Sequence, residues 1–136
     1  MVSLEKIKVK KSEEEWKKIL TPNEFKVLRE KGTEPPFSGK YVHQNAKGTY
    51  VCAGCGNLLF SSDMKFDSGS GWPSFSAPIV SDAVVFKPDH SLFMRRTEVI
   101  CAQCGGHLGH VFDDGPKPAR KRYCMNSISL HFVENK

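Results

Sequence analysis

The sequence contains no long run of hydrophobic residues. Its most apolar stretches, such as 83–86 (AVVF), stop far short of the roughly 20 residues that cross a bilayer. The chain begins MVSLEKIK, and no apolar stretch of signal-peptide length follows. We therefore expect a cytoplasmic protein with no membrane partner.

The sequence also lacks a strong excess of charge of either sign. Lys and Arg total 20 and Asp and Glu 15, which gives a net charge of +5. This mild value fits a solvated surface as well as an anionic partner. The 136 residues, 39% of them hydrophobic, have the size and composition of one ordinary domain. We expect a single domain over 1–136, with a helical N-terminal part and linker over 1–40 and a β core over 41–136.

An even set of cysteines, which a closed disulfide framework requires, is missing. The chain has five cysteines, and the reducing cytosol argues further against disulfides. Four of them form two C-x-x-C pairs, Cys52 with Cys55 and Cys101 with Cys104. Cys124 is left alone, and it becomes the centre of the functional hypothesis.

Helix signals occur near the N-terminus. Ser12 followed by Glu15, and Thr21 followed by Glu24, are capping boxes, and Gly32 supplies a stop for the second helix. Residues 34–40 contain two prolines and are predicted to form an extended linker.

From about Tyr41 onward the pattern changes to strands. Residues rich in β-branched and aromatic side chains predict strands at 49–51, 83–87, 91–95, 98–100 and 128–133. Residues 88–90 are predicted to form a turn, and in the last strand Ile128, Leu130 and Phe132 are expected to share one face. The expected fold is α+β and mostly β: two helices leading into an antiparallel sheet or small barrel.

The spacing of the paired cysteines is that of a four-thiolate zinc site. Both pairs lie in a C-A-x-C-G-x-x-L repeat that follows a strand-like run. Two residues between cysteines let both thiolates face one ion, and the glycine after each pair permits the tight turn. Unligated thiols, two redox-active pairs, or iron are the alternatives. Neither pair sits in the βαβ setting that favours redox chemistry.

Cys124 lies in the stretch RKRYCMN, two residues after Arg122. A neighbouring guanidinium favours the nucleophilic thiolate, and an extended backbone puts both side chains on one face. A buried structural cysteine is the alternative. His107 and His110 lie in a glycine-rich stretch, where they can pack, ligate the metal or transfer protons. Because four cysteines saturate a tetrahedral ion, we favour proton transfer.

Two further segments allow either a purely structural or a functional interpretation. Trp72, held between Gly71 and Pro73, is either an aromatic wall for a small apolar ligand or a cap on the core. The basic run 117–122 can contact phosphate or an acidic partner, although such runs are usually solvated loops.

Several motifs occur together in one order. They are SGSGWPSF at 68–75, GHLGHVF at 106–112 and RYCMNS at 122–127, framed by the two C-x-x-C pairs. In this combination the chain closely resembles the B-type peptide methionine-R-sulfoxide reductases, from about residue 12 to 133. The resemblance implies two antiparallel sheets in a small barrel-like core, N-terminal helices, and one structural Zn²⁺ per chain bound by Cys52, Cys55, Cys101 and Cys104.

The resemblance also implies roles for the other motif residues. Cys124 would attack the sulfoxide sulfur, and His110 with Asn126 would bind and protonate the sulfoxide oxygen. His107 would support them. Arg122 with Asp114 would position the thiolate. Trp72 would contact the substrate's ε-methyl group.

Two positions depart from the family pattern. Ser70 stands where many members carry a resolving cysteine, and Met125 stands where Val or Ile is more usual. A sulfenic acid formed on Cys124 would then be reduced by an outside thiol. The implied partners are oxidised proteins containing methionine-R-sulfoxide and a thioredoxin-like reductant. We expect a monomer that binds no nucleic acid.

Two rival functions belong to other classes. A zinc-ribbon module could contact nucleic acid through its 117–122 loop, and this predicts salt-dependent binding without sulfoxide turnover. A purely structural zinc protein predicts a Cys124 thiol inert to alkylation at neutral pH. The zinc-ribbon rival leaves Cys124, the paired histidines and Trp72 without a function.

Overall fold

Two short helices begin at the predicted capping boxes. The computed structural model describes residues 11–90, 95–118 and 120–134. Helix α1 covers Glu13–Ile19 and helix α2 covers Pro22–Glu30. At Ser12 and again at Thr21, the hydroxyl accepts from a backbone N–H three residues on, and the Glu carboxylate there accepts in return. Both predicted helix starts are therefore confirmed.

The end of α2 differs from the prediction. The helix stops at Glu30, and Lys31 rather than Gly32 takes the left-handed conformation, with φ 58°. A lysine seldom adopts this conformation. Here its ammonium group reaches the buried Glu98 carboxylate, at 3.3 Å.

Strands make up most of the remaining described chain. In order they are β1 Gly48–Cys52, β2 Leu58–Ser61, β3 Lys65–Phe66, β4 Ser74–Phe75, β5 Val84–Asp89, β6 Arg96–Cys101, β7 His107–Phe112, β8 Arg122–Met125 and β9 Leu130–Glu134. Three of them form a sheet in the order β2-β1-β9, and six form a second in the order β3-β4-β8-β7-β6-β5. All pairs are antiparallel. The α+β fold with two antiparallel sheets is confirmed, although neither sheet closes into a barrel within the described residues.

Two predicted boundaries are wrong. Pro88 and Asp89 belong to β5 instead of a turn, because β5 is an edge strand of its sheet, where a missing proline N–H is tolerated. Residues 127–129 form a 3-10 turn, so Ile128 is not part of β9. The strand predicted over 91–95 has residues 91–94 outside the described part of the chain.

An aromatic core lies between the two sheets. Tyr50 and Phe60 from the smaller sheet pack on Phe75 of the larger, with ring centroids 5.1 and 4.4 Å away. Each fully buried side chain of this size contributes about 1.5–3 kcal/mol. Strand β8 faces this core with Met125, which is 0% exposed, so the alternating Cys124 points to the opposite face. That face carries the candidate site.

No helix in the described ranges is long and apolar enough to span a bilayer.

Candidate active site and metal centre

A cavity of about 230 Å³ opens on the face of the larger sheet that carries Cys124. The residues that line it come from the segment after α2, the 67–73 loop, β6, β7, β8 and the turn after β8. They are Thr33, Ser70, Trp72, Arg96, Gly109, His110, Phe112, Arg122, Cys124 and Asn126. Six residues singled out in the sequence, from three separate segments, therefore meet in one cavity. His107 and Asp114 do not line it.

Cys124 lies at the centre of the larger sheet, opposite His110 on β7 and Ser74 on β4. Its Sγ is 3.6 Å from the Ser70 hydroxyl. Burial raises the pKa of the Cys124 thiol, and the opposing effects of Ser70 and Arg122 only reduce that rise. Arg122 thus acts in the direction expected from the sequence, but burial outweighs it. The free protein therefore holds Cys124 mainly as the thiol.

Three serine hydroxyls form a chain beside Cys124. The Ser68 hydroxyl lies 2.7 Å from the hydroxyls of both Ser70 and Ser74. Ser74 in turn donates to the backbone carbonyl of Trp72, at 3.1 Å. The chain ties the loop that carries Ser70 to the strand next to Cys124.

His110 is held by a carboxylate at the end of β5, two strands away in the larger sheet. Its Nε2 lies 2.7 Å from Oδ2 of Asp89, which also faces Arg96 at 3.4 Å. Burial lowers the pKa of His110, and the Asp89 hydrogen bond opposes that shift without cancelling it. Because a carboxylate accepts hydrogen bonds, Nε2 of His110 is the protonated ring nitrogen and donates to Asp89. Nδ1 of the neutral ring is therefore left as an acceptor.

His107 lies behind His110, with the two ring centroids 5.5 Å apart. It is 2% exposed, and its Nδ1 donates to Oε2 of Glu98 at 2.7 Å. Burial alone would raise the pKa of Glu98, but His107 and Lys31 outweigh it and lower that pKa. The pair fixes the His107 ring without bringing it into the cavity.

Arg122 and Asp114 form a surface pair at the edge of the cavity. Two guanidinium nitrogens donate to the two carboxylate oxygens, at 2.8 and 3.2 Å. The hydrogen bond from Arg122 lowers the pKa of Asp114, and the guanidinium also covers the Phe112 ring at 4.4 Å. Asp114 thus orients Arg122 from outside the cavity.

The four paired cysteines form a second cluster. Cys52 ends β1 and Cys101 ends β6, so the cluster joins the two sheets, and all four sulfurs lie within 4.8 Å of one another. The Cys52–Cys104 and Cys55–Cys101 sulfurs are 3.7 and 3.5 Å apart. A tetrahedral zinc with Zn–S bonds of about 2.3 Å requires sulfurs roughly 3.8 Å apart, so the donor set fits that ion. The cluster can hold one metal ion.

Sequence reasoning missed three acidic residues that contact the site. The sequence pattern assigns Glu34 to a linker, Asp89 to a turn and Glu98 only to a strand. A carboxylate within or beside an apolar strand, as at Glu98, is the one available signal, because an unpaired charge is rarely buried.

The chain matches one family along most of its length. A family model described as "SelR domain" matches residues 20–134. A "Peptide methionine sulfoxide reductase MsrB" of Methanosarcina barkeri is 63% identical over 124 residues, covering 91% of this chain and 87% of that protein. The protein of the same name from Bradyrhizobium diazoefficiens is 62% identical over 123 residues, covering 90% and 88%. The mouse "Methionine-R-sulfoxide reductase B3, mitochondrial" is 54% identical over 126 residues, or 93% of this chain and 50% of that protein.

These matches define the class of protein as an oxidoreductase, as predicted. The chain belongs to the SelR-domain family of peptide methionine sulfoxide reductases, which confirms the resemblance noted in its motifs.

Proposed function

We propose that the protein reduces the R epimer of methionine sulfoxide in oxidised proteins to methionine. The observation that carries this proposal is the meeting of Cys124, His110, Asn126 and Trp72 around one small cavity. A methyl sulfoxide requires a nucleophilic thiol, a ring that transfers a proton and an amide that holds the oxygen. It also requires an apolar wall for the methyl group. The mouse relative's name specifies the R epimer.

The reaction moves one oxygen atom from substrate sulfur to Cys124. Sγ attacks the sulfoxide sulfur and forms an Sγ–S bond. The oxygen then bonds to Sγ as the substrate S–O bond and the Sγ–S bond break, and methionine is released. The oxygen and the former thiol proton remain on Cys124 as a sulfenic acid, so cysteine is oxidised as the sulfoxide is reduced. The methyl group would lie against Trp72, and Asn126 would hold the oxygen.

His110 is the proposed carrier of the proton. Because Cys124 is mainly a thiol and His110 is neutral, the ring can take the thiol proton on Nδ1 and give it to the sulfoxide oxygen. The two residues are directly opposite in the β7–β8 ladder, a position that supports this transfer. Asp89 would stabilise the transient imidazolium.

An external thiol is the proposed reductant of the sulfenic acid. The side chain next to the Cys124 sulfur is the Ser70 hydroxyl, which cannot form a disulfide. The other four cysteines are gathered in the metal cluster. A thioredoxin-like protein or small thiol would therefore form a mixed disulfide directly with Cys124 and release water.

The metal cluster is proposed to bind one structural Zn²⁺ per chain. Four thiolates leave no open coordination position for catalysis, and the cluster joins elements of both sheets.

The helices belong to the same proposed domain, since α2 packs on β7 and Arg29 donates to the Cys104 carbonyl at 3.0 Å.

Turnover of each separated epimer of a blocked methionine sulfoxide, with a chemical thiol reductant, tests the function. We expect reduction of the R epimer only, and none by the Cys124→Ser variant, since a hydroxyl cannot replace the thiol. Absence of turnover together with salt-dependent nucleic-acid binding would favour the zinc-ribbon rival instead.

A further inference from the structure

Glu34 lies in the segment between α2 and the sheets, yet it is almost completely buried. Its exposed fraction is 2%, although the two prolines that follow it predict an extended linker. A buried carboxylate is costly unless it is hydrogen-bonded, so its placement calls for a specific role.

The backbone of Glu34 holds two side chains of the cavity. Its N–H donates to Oδ1 of Asn126 at 3.0 Å, and its carbonyl accepts from Nε1 of Trp72 at 2.9 Å. Thr33, the preceding residue, lines the cavity itself. One peptide segment therefore fixes the aromatic wall and the amide relative to each other.

The side chain of Glu34 anchors that segment to the turn after β8. Oε1 accepts from the Ile128 N–H at 2.9 Å. Oε2 is enclosed: a Cβ added at Gly39 would lie 2.2 Å from it, and it has no hydrogen-bond partner among the described residues. The anchor thus depends on one oxygen and on a closely fitted pocket for the other.

We propose that Glu34 is a positioning residue that sets the distance between Trp72 and Asn126, and with it the fit of the substrate's methyl group and oxygen. This inference rests on the proposed function for its effect on turnover. The carboxylate touches neither substrate nor Cys124. It acts by holding the peptide that both substrate-contacting side chains bind.

The test compares three variants. Glu34→Met fills a similar volume without an oxygen acceptor, whereas Glu34→Gln keeps an oxygen for the Ile128 N–H. The matched control is Tyr41→Phe, which removes the hydroxyl that accepts from the Phe132 N–H at 3.0 Å. Both Tyr41 and Glu34 accept one backbone N–H of the C-terminal segment, but the tyrosine hydroxyl contacts no cavity residue among those described.

We expect Glu34→Met to lower kcat/KM for the R-sulfoxide roughly 10- to 100-fold, mainly through KM, because a displacement of about 1 Å is enough for such a loss. Glu34→Gln should restore most of the activity, and Tyr41→Phe should leave it within about twofold of the wild type, since it alters no substrate contact. Equal losses in Glu34→Met and Tyr41→Phe, or a Glu34→Gln variant as impaired as Glu34→Met, would overturn the proposal.

A second measurement does not depend on turnover. Trp16 is 2% exposed, so acrylamide quenching of tryptophan emission reports mainly on Trp72. Quenching should increase in Glu34→Met alone. In the wild type, the Trp72 indole proton should exchange slowly with solvent, and exchange at the free rate would refute the bond to Glu34 even if Glu34→Met did not fold. If the wild-type protein did not reduce the sulfoxide at all, the proposed function would be contradicted. The quenching and the indole exchange would then still test the role of Glu34.

Discussion

Cys124 lies in a site that favours its protonated form, which is unusual for a proposed nucleophile. Burial raises its pKa, while the Ser70 hydroxyl and the Arg122 guanidinium lower it less than burial raises it. A protonated thiol is slow to react with adventitious oxidants and alkylating agents. Under the proposed mechanism, the site would become reactive when bound sulfoxide supplies an acceptor for the proton.

Removal of the Ser70 hydroxyl should therefore raise the pKa of Cys124 further. In Ser70→Ala, alkylation of Cys124 by iodoacetamide should be about two- to fivefold slower at pH 8, the effect of losing one hydrogen bond of up to about 1 kcal/mol. The rates should converge at high pH, where both thiols are ionised. Mass spectrometry of the Cys124 peptide gives the rate. Ser76→Ala is the control, and faster alkylation in Ser70→Ala would contradict the prediction.

The Asp89 carboxylate stabilises the protonated form of His110. Asp89→Asn should therefore shift the titration of the His110 ring to lower pH, adding to the shift that burial already causes. The R-sulfoxide rate should fall, but by less than the roughly 10²–10⁴-fold expected for His110→Ala, since a positioned ring remains. NMR titration of the ring protons measures the pKa. A titration that moved to higher pH would contradict this sign.

At the scale of elements, the loop between β3 and β4 would decide how Cys124 is regenerated under the proposed mechanism. The Ser70 hydroxyl is 3.6 Å from Sγ of Cys124, and the flanking Gly69 and Gly71 have φ of 73° and 96°. A disulfide needs sulfurs about 2.05 Å apart, so a cysteine here requires only a small loop movement.

Ser70→Cys should therefore form an intramolecular disulfide with Cys124 after one equivalent of sulfoxide without reductant. The wild type should instead hold a sulfenic acid that a specific reagent traps. Mass spectrometry distinguishes the two, and Ser76→Cys serves as a control cysteine on the surface. A wild-type disulfide between Cys124 and a cluster cysteine, with metal released, would refute both direct reduction and a purely structural metal.

The elements were predictable from sequence where local chemistry determines them. The capping boxes at Ser12 and Thr21 satisfy backbone groups within a few residues, so the helix starts follow from the sequence. The end of β5 and the turn at 127–129 depend on partners that are distant in sequence. Ile128 lies in a 3-10 turn instead of a strand, and its N–H donates to the Glu34 carboxylate. The two residues are 94 positions apart, so no local sequence signal predicts this bond.

At the scale of the whole molecule, the cysteine cluster and the inter-sheet core hold the two sheets together. Cys101→Ser should remove one ligand and, with it, bound metal that can supply on the order of 10 kcal/mol of apparent folding free energy. We expect little folded protein, and a strong chelator should lower the Tm of the wild type. Cys124→Ser is the control and should keep metal and Tm. Folded, active protein without metal on elemental analysis would contradict the prediction.

The candidate site was predictable only in part, for a reason at this same scale. Motifs carry Cys124, His110 and Trp72, whose chemistry is visible in single residues. The carboxylates Glu34, Asp89 and Glu98 contribute through contacts between different segments, and the fold alone brings these together.

The unequal exposure of two methionines bears on the durability of the molecule during oxidative stress. Met125, directly beneath the reactive cysteine, is 0% exposed, whereas Met64 is 44% exposed. Of these two methionines, peroxide in solution therefore damages Met64 first and spares Met125, whose oxidation would deform the core under Cys124. The damage at Met64 is a sulfoxide on a protein surface, so under the proposed function each copy of the enzyme would become a substrate for the next. A population of these molecules would then repair the R epimer of that sulfoxide for as long as the thiol supply lasts, while the S epimer would remain.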